Sequence, residues 1–248
     1  MKLSVVIPFY NEENMIQKMY DELVKEINQI TKAEFEIIFI NDGSKDRTFE
    51  RMLAIAAGDS RVKYISFSRN FGKEAGTIAG LEYATGEAVI LMDGDLQHPP
   101  AMLPQMIEAY EQGYDVVSAR RTRTGEKRHR TFLAKHFYKL ANKMMDIELM
   151  DGVSEFRLFS RKVVNAIISM QEYNRFSKGI FAWIGFNEKV IEYENQVRTV
   201  GETKYSLKFS LNYAIQGILS FNDKPLRMCI NFGLFCLLIS LVYVLWTF

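Results

Sequence analysis

Short apolar runs rich in β-branched residues alternate with stretches of helical periodicity from Leu3 to Ser118. The runs Leu3–Ile7, Phe35–Ile40, Val62–Phe67, Ala88–Met92 and Asp115–Ser118 predict strands, the first closed by Pro8. Between them, Met15–Ile30, Arg47–Ala57, Lys73–Ala84 and Met102–Glu111 predict helices, with Asp46 as the N-cap of the second. Alternation of this kind folds into an α/β domain with a mostly parallel sheet and helices on both faces. Ligands of such sheets sit beyond the carboxyl ends of the strands.

Polar, acidic and glycine residues recur at those ends. Asn11 and Glu12 follow the first strand, Asn41-Asp42-Gly43-Ser44 the second, Ser68-Arg69-Asn70 the third and Asp93-Gly94-Asp95 the fourth. Two carboxylates one residue apart after a buried strand suit a hard divalent cation held against a phosphate. An EF-hand loop is excluded, because its sixth and twelfth positions would be His98 and Pro104. There is no Walker-type loop, and Gly72, Gly76 and Gly80 step through a helix in a way that favours close packing on the sheet over a dinucleotide fingerprint. Phosphate charge must then be met by a metal on Asp93 and Asp95 and by basic side chains.

The net charge of +1 gives no reason to expect nucleic acid as a partner. Charge is concentrated locally, however: nine Lys and Arg lie between Arg120 and Lys143 against Glu126 alone. Cys229 and Cys236 both fall in the last apolar stretch, and His98, His129 and His136 have no zinc spacing. Met1-Lys2 leads straight into the first strand, which is too short for a signal-peptide core. From Met228 to Phe248 there is no charge, and about twenty helical residues span the roughly 30 Å of a bilayer's hydrocarbon. Lys204, Lys208, Lys224 and Arg227 precede it, which orients the preceding domain to the cytoplasm.

The segments VVIPFYNEE, INDGSKDRT, SRNFGKEAG and LMDGDLQHPP, in this order, resemble the family 2 glycosyltransferases of the GT-A fold. Within them they are similar to the branch that transfers sugars to polyprenyl phosphate, the dolichol-phosphate mannose synthases and bactoprenol glycosyltransferases. SEFRLFSRKVV, FAWIGF and VGETKYSLKFSL extend the likeness over nearly the whole chain. The resemblance implies a nucleotide pocket at Pro8, Tyr10, Asn11, Glu12, Asp42, Lys73 and Asp93, and a metal pair Asp93 and Asp95 with Gln97 as a further ligand. It implies acceptor-phosphate contacts at Arg120, within Arg128 to Arg130, and at Arg198 and Lys204. Where the family usually has Asp before Phe-Arg-Leu, this chain has Glu155.

These features set the expectation of a Mg2+- or Mn2+-dependent, inverting transfer of a sugar, from UDP-glucose or UDP-N-acetylglucosamine, to undecaprenyl phosphate at the cytoplasmic membrane face. Asp95, Glu155 and Arg120 are the expected catalytic residues. Glu155 is expected to orient the nucleophile or a basic partner such as Arg157, because a phosphate monoester is largely dianionic at neutral pH. Residues 1–205 form the expected catalytic domain, 206–227 a juxtamembrane amphipathic helix and 228–248 the transmembrane helix. A basic amphipathic helix from Phe132 to Lys143 fits anionic headgroups. A processive polysaccharide synthase is disfavoured, since Gln171 to Phe176 lacks the Q-x-x-R-W spacing. A catalytically dead, membrane-tethered nucleotide-binding scaffold is the non-enzyme alternative. The sequence leaves open the sugar, a homo-oligomeric state and a further membrane segment after Phe248.

Overall fold

The computed structural model of the chain describes residues 1–122, 142–143, 145, 147, 150–172, 175–194, 217, 220–222 and 224–247. Within them seven strands form one sheet in the order β3-β2-β1-β4-β6-β5-β7. The strands are β1 Lys2–Phe9, β2 Glu34–Asn41, β3 Val62–Ser66, β4 Ala88–Leu91, β5 Val116–Arg121, β6 Val153–Ser160 and β7 Glu188–Tyr193. All neighbours run parallel except β6, which is antiparallel to both β4 and β5. The helices are α1 Ile16–Ile27, α2 Thr48–Gly58, α3 Lys73–Tyr83, α4 Leu103–Glu111, α5 Arg161–Ser169, α6 Ser177–Trp183 and α7 Lys224–Thr247.

Both sheet faces are covered. Leu3, Val5, Ile7, Ile37 and Phe39 meet α1, α2 and α4 on one face, while Val6, Ile38, Ile40, Val89 and Leu91 meet α3, α5 and α6 on the other. A central strand buried on both faces reads as a continuous apolar run, and β4 (Ala88–Leu91) is buried at all four positions.

Pro8 does not close β1, which continues to Phe9. Carbonyls of Val6 and Phe9 accept from Met92 and Asp42 on opposite sides, so Pro8 faces the β4 side. Pairing with β4 stops at Val6, and the N–H that proline lacks is therefore not missed there. Gly72 is also not inside α3; it is the N-cap, with φ +94°. Gly76 and Gly80 do lie inside, packed against Pro8, Ile40 and Val6 as their spacing suggests. Asp46 accepts the Thr48 N–H at 3.0 Å, holding the first turn of α2 from one position before the structural N-cap, Arg47.

Helix α7 stands apart from the sheet. Leu226–Thr247 is long and apolar enough to cross a membrane, and none of it is buried against the protein. Twenty-two residues in such a helix extend about 33 Å.

Candidate active site at the carboxyl edge of the sheet

The loops after β1 and β2 are stitched to each other. Asn11 takes φ +51°, its N–H reaching Ser44 Oγ at 3.0 Å while its Oδ1 accepts the Lys45 N–H at 2.8 Å. The Glu12 N–H donates to Thr48 Oγ1 at 2.8 Å. Pro8, Tyr10, Asn11 and Glu12 are each half-buried along this edge. Asp42 is 4% exposed, and its two oxygens accept the N–H groups of Phe71 at 2.7 Å and Gly72 at 3.0 Å. Burial pushes its carboxyl up, with those two N–H groups opposing. Asp42 thereby fixes the Gly72 turn that starts α3, and Lys73 is the first residue of that helix.

The acidic loop follows β4 directly. A Cβ on Gly94 would lie 2.3 Å from Phe9 Cε1, so only glycine lets the backbone between the two carboxylates pass this close to the ring. Asp95 Oδ1 accepts the Gln97 N–H at 3.1 Å, and Leu96 adopts φ +59° while still packing on the core. His98 closes the turn: its Nδ1 accepts the Asp93 N–H at 2.9 Å, and its ring stacks on Phe156 at 5.2 Å. With Nδ1 accepting, the ring proton of neutral His98 sits on Nε2, which is 3.8 Å from Asp93 Oδ2. Burial holds the imidazole below its ordinary value against the pull of Asp93.

Lys73 joins two strands here. Its Nζ lies 2.5 Å from Asp93 Oδ1 and 2.5 Å from Glu155 Oε2. Continuing the antiparallel register Leu91↔Arg157 by two residues sets Asp93 beside Glu155, so the strand pairing itself creates this contact. Burial disfavours the Asp93 carboxylate, but the Lys73 ammonium overrides it and holds the group at about 2. Burial likewise opposes the Lys73 ammonium, and the two carboxylates push it well above the ordinary lysine range.

The basic partner of Glu155 is thus Lys73 and not Arg157. Arg157 sits on the same face of β6 but is taken by Glu188 on β7 at 3.2 Å, where Ser118 Oγ also donates. Arg120, at the end of β5, donates to Glu192, the residue opposite it on β7. Arg128, Arg130, Arg198 and Lys204, the basic helix from Phe132 up to residue 141 and the stretch from Leu207 to Gln216 lie outside the described residues. The role of His98 was missed in the sequence, where no spacing rule marks a histidine that binds a neighbouring backbone N–H. Glu74 and Lys178, beside this edge, were missed as well.

Among the described residues, no three His, Cys, Asp or Glu side chains converge on a metal-sized point. The donors Asp93, Asp95 and Gln97 still fit a Mg2+-type ion, which typically takes one or two carboxylates and completes its shell with water and substrate phosphate.

The mixed sheet in the order β3-β2-β1-β4-β6-β5-β7, with an acidic pair after β4, has the GT-A fold. Glucosyl-3-phosphoglycerate synthase from Mycobacterium tuberculosis, solved with Mn2+ and UDP-glucose, superposes with a TM-score of 0.56 at 20% identity, over 88% of this chain and 76% of that one. Residues 4–168 match glycosyl transferase family 2, and the chain belongs to that family and is a glycosyltransferase. The Bacillus subtilis (strain 168) protein named as glycosyltransferase CsbB is 50% identical over 246 residues, 99% of this chain and 74% of its own. The prophage bactoprenol glucosyl transferase homolog of Escherichia coli (strain K12) is 42% identical over 247 residues, 99% and 80% respectively.

Proposed function

We propose that the chain transfers a sugar, with inversion, from a UDP-sugar to a polyprenyl phosphate such as undecaprenyl phosphate, on the cytoplasmic face of a membrane. The observation that carries this is an exposed, membrane-length helix on the same chain as the acidic edge. A relative named for bactoprenol glucosyl transfer supports it at 42% identity. Residues 1–205 then act as the catalytic domain and 206–227 as the juxtamembrane segment, with 228–248 in the bilayer. Lys224 and Arg227 at the amino end of α7 favour the cytoplasmic side for that domain.

In this reading the loops carrying Pro8, Tyr10, Asn11, Glu12 and Asp42 hold the nucleoside, and Asp93, Asp95 and Gln97 face the diphosphate. A bound Mg2+ or Mn2+ supplies the positive charge that lets those carboxylates accept a diphosphate and stabilises it as it leaves. A phosphate oxygen of the acceptor attacks the anomeric carbon, the bond from that carbon to the diphosphate breaks, and the electron pair leaves with the nucleotide. No proton need be removed, because the acceptor is largely dianionic near neutral pH. Glu155 accordingly holds Lys73 in place, and Lys73 carries charge toward the phosphates. Arg120, Arg128, Arg130, Arg198 and Lys204 are assigned to the acceptor phosphate.

Membranes containing the protein, supplied with Mn2+, undecaprenyl phosphate and in turn UDP-glucose, UDP-N-acetylglucosamine and UDP-galactose, are expected to form one glycosyl-phosphate lipid. Mass spectrometry identifies it, and the product anomer is expected to be opposite to that of the donor. A sugar polymer in place of a monoglycosylated lipid phosphate would favour a processive synthase and defeat the proposal.

A further inference from the structure

The basic side chains described around Asp93 are mostly committed. Lys73 is taken by Asp93 and Glu155, Arg157 by Glu188 and Arg120 by Glu192. Lys178, the second residue of α6, makes no ion pair or side-chain hydrogen bond among the described residues, yet it is close enough to help hold the Asp93 carboxyl down. A dianionic phosphate brought to this edge meets Lys73 or Arg120 only by sharing or displacing those carboxylates, whereas Lys178 can meet it without breaking a pair.

The placement of Lys178 is fixed from two directions. Glu74, next to Lys73 in the first turn of α3, accepts the Ser177 N–H at 3.2 Å on each oxygen and also accepts the Ser177 Oγ–H. Ser177 itself is 4% exposed. One helical turn thus delivers Lys73 to the acidic pair and anchors the start of α6 beside it. On its other side α6 is clamped by aromatic rings: a Cβ on Gly179 would lie 2.3 Å from Phe221 Cε2 and 2.7 Å from Phe176 Cδ1. Gly217 packs against the same Phe176 ring. Phe221 and Gly217 belong to the chain just before α7, so α6 is tied to the acidic edge through Glu74 and to the approach to the membrane-length helix through Phe221.

We propose that Lys178 is a phosphate-binding residue of this site, contacting a phosphoryl group of a substrate. Ser177 and Glu74 position it. This rests on the glycosyl-transfer reading above, and two sources supply the same chemistry: the diphosphate of the donor and the monophosphate of the lipid acceptor. Lysine serves either as a compact point charge on a flexible stem.

The test uses the full chain in detergent or nanodiscs and compares K178M with K178R. UDP binding with Mn2+ is measured by calorimetry, and the KM for undecaprenyl phosphate is measured separately at saturating donor. If the contact is to the diphosphate, K178M weakens UDP binding about tenfold, the size of one charge-assisted hydrogen bond. If it is to the acceptor, UDP binding is unchanged and the acceptor KM rises by a similar factor. In both cases K178R stays within about threefold of the native chain. The proposal is overturned if K178M leaves both constants within twofold, or if K178R loses as much as K178M, which would mark a packing effect. Native protein that binds UDP but forms no lipid product would refute the acceptor reading alone, with the UDP arm still reporting on Lys178.

Discussion

Asp95→Asn is the substitution that separates charge from shape at the acidic loop. Asparagine keeps an Oδ1 to accept the Gln97 N–H, so the turn survives while one carboxylate is lost. We expect kcat/KM to fall by at least about 10²-fold, because the diphosphate then meets a poorly held cation. Transfer rates across a Mn2+ titration and in excess chelator check this, and near-normal turnover in chelator would refute it. Glu155→Gln tests a different role. The neutral side chain leaves Lys73 held by Asp93 alone, so kcat is expected to drop about tenfold, with a rate profile as flat between pH 6.5 and 8.5 as that of the native chain. Loss of a steep pH limb would instead identify Glu155 as a base. The spacing Asp93-Gly94-Asp95 was legible in the sequence because it is local. The bridge from Lys73 to Glu155 was not, since 82 residues separate its ends and only the pairing of β4 with β6 brings them together.

Strands β1 to β5 announce themselves as apolar runs: β1, β2 and β4 are buried along nearly their whole length, while β3, at the edge of the sheet, keeps only Val62 buried. The starts at Val62 and Ala88 coincide with the structure, the other ends differ by one to three residues, and of these only the end of β1 traces to a proline taken as a stop. Strand β6 fell inside a segment quoted only for its family likeness and β7 was not predicted: β6 inserts antiparallel between β4 and β5, and β7 is mostly half-exposed and carries Glu188, Lys189 and Glu192. The opposite edge of the sheet holds a feature that patterning does not reveal. Glu36 on β2 has a side chain 5% exposed and accepts from Ser4 Oγ at 2.6 Å, the Thr85 N–H at 2.6 Å and Lys63 Nζ at 2.8 Å. Burial alone would raise its carboxyl, but these donors together hold it at about 2, below the ordinary 4.5. A depressed carboxyl stabilises the fold fully above about 4.5 and loses that contribution as pH falls toward 2. The contribution is on the order of 2 kcal/mol once screening at the exposed Lys63 is allowed for. Glu36→Gln is expected to lower the urea midpoint at pH 7 and to flatten its decline between pH 4.5 and pH 2. An unchanged acid slope would show that other carboxylates govern it.

At the scale of the whole molecule, an α/β domain and an exposed apolar helix of membrane-spanning length share one chain, and the proposed surroundings of that helix are a bilayer. Leu237 lies near the middle of Leu226–Thr247 and is 64% exposed. In water that helix would display a large contiguous apolar surface, which soluble monomers rarely do. Leu237→Arg therefore discriminates between surroundings. At the centre of a spanning helix an arginine costs roughly 2.5–3.5 kcal/mol, so the variant is expected to shift from the membrane pellet toward the carbonate-soluble fraction. Arginine at Tyr83, a 66% exposed residue at the end of α3, serves as the control and is expected to leave partitioning unchanged. Function should follow location. Transfer to undecaprenyl phosphate in vesicles is expected to fall with the loss of membrane-bound protein, while UDP binding by the domain is retained. If Leu237→Arg partitions like the native chain but lowers the cooperative melting temperature by several degrees, the helix packs against protein in place of lipid. The acceptor would then have to reach Asp93 and Lys73 by another route.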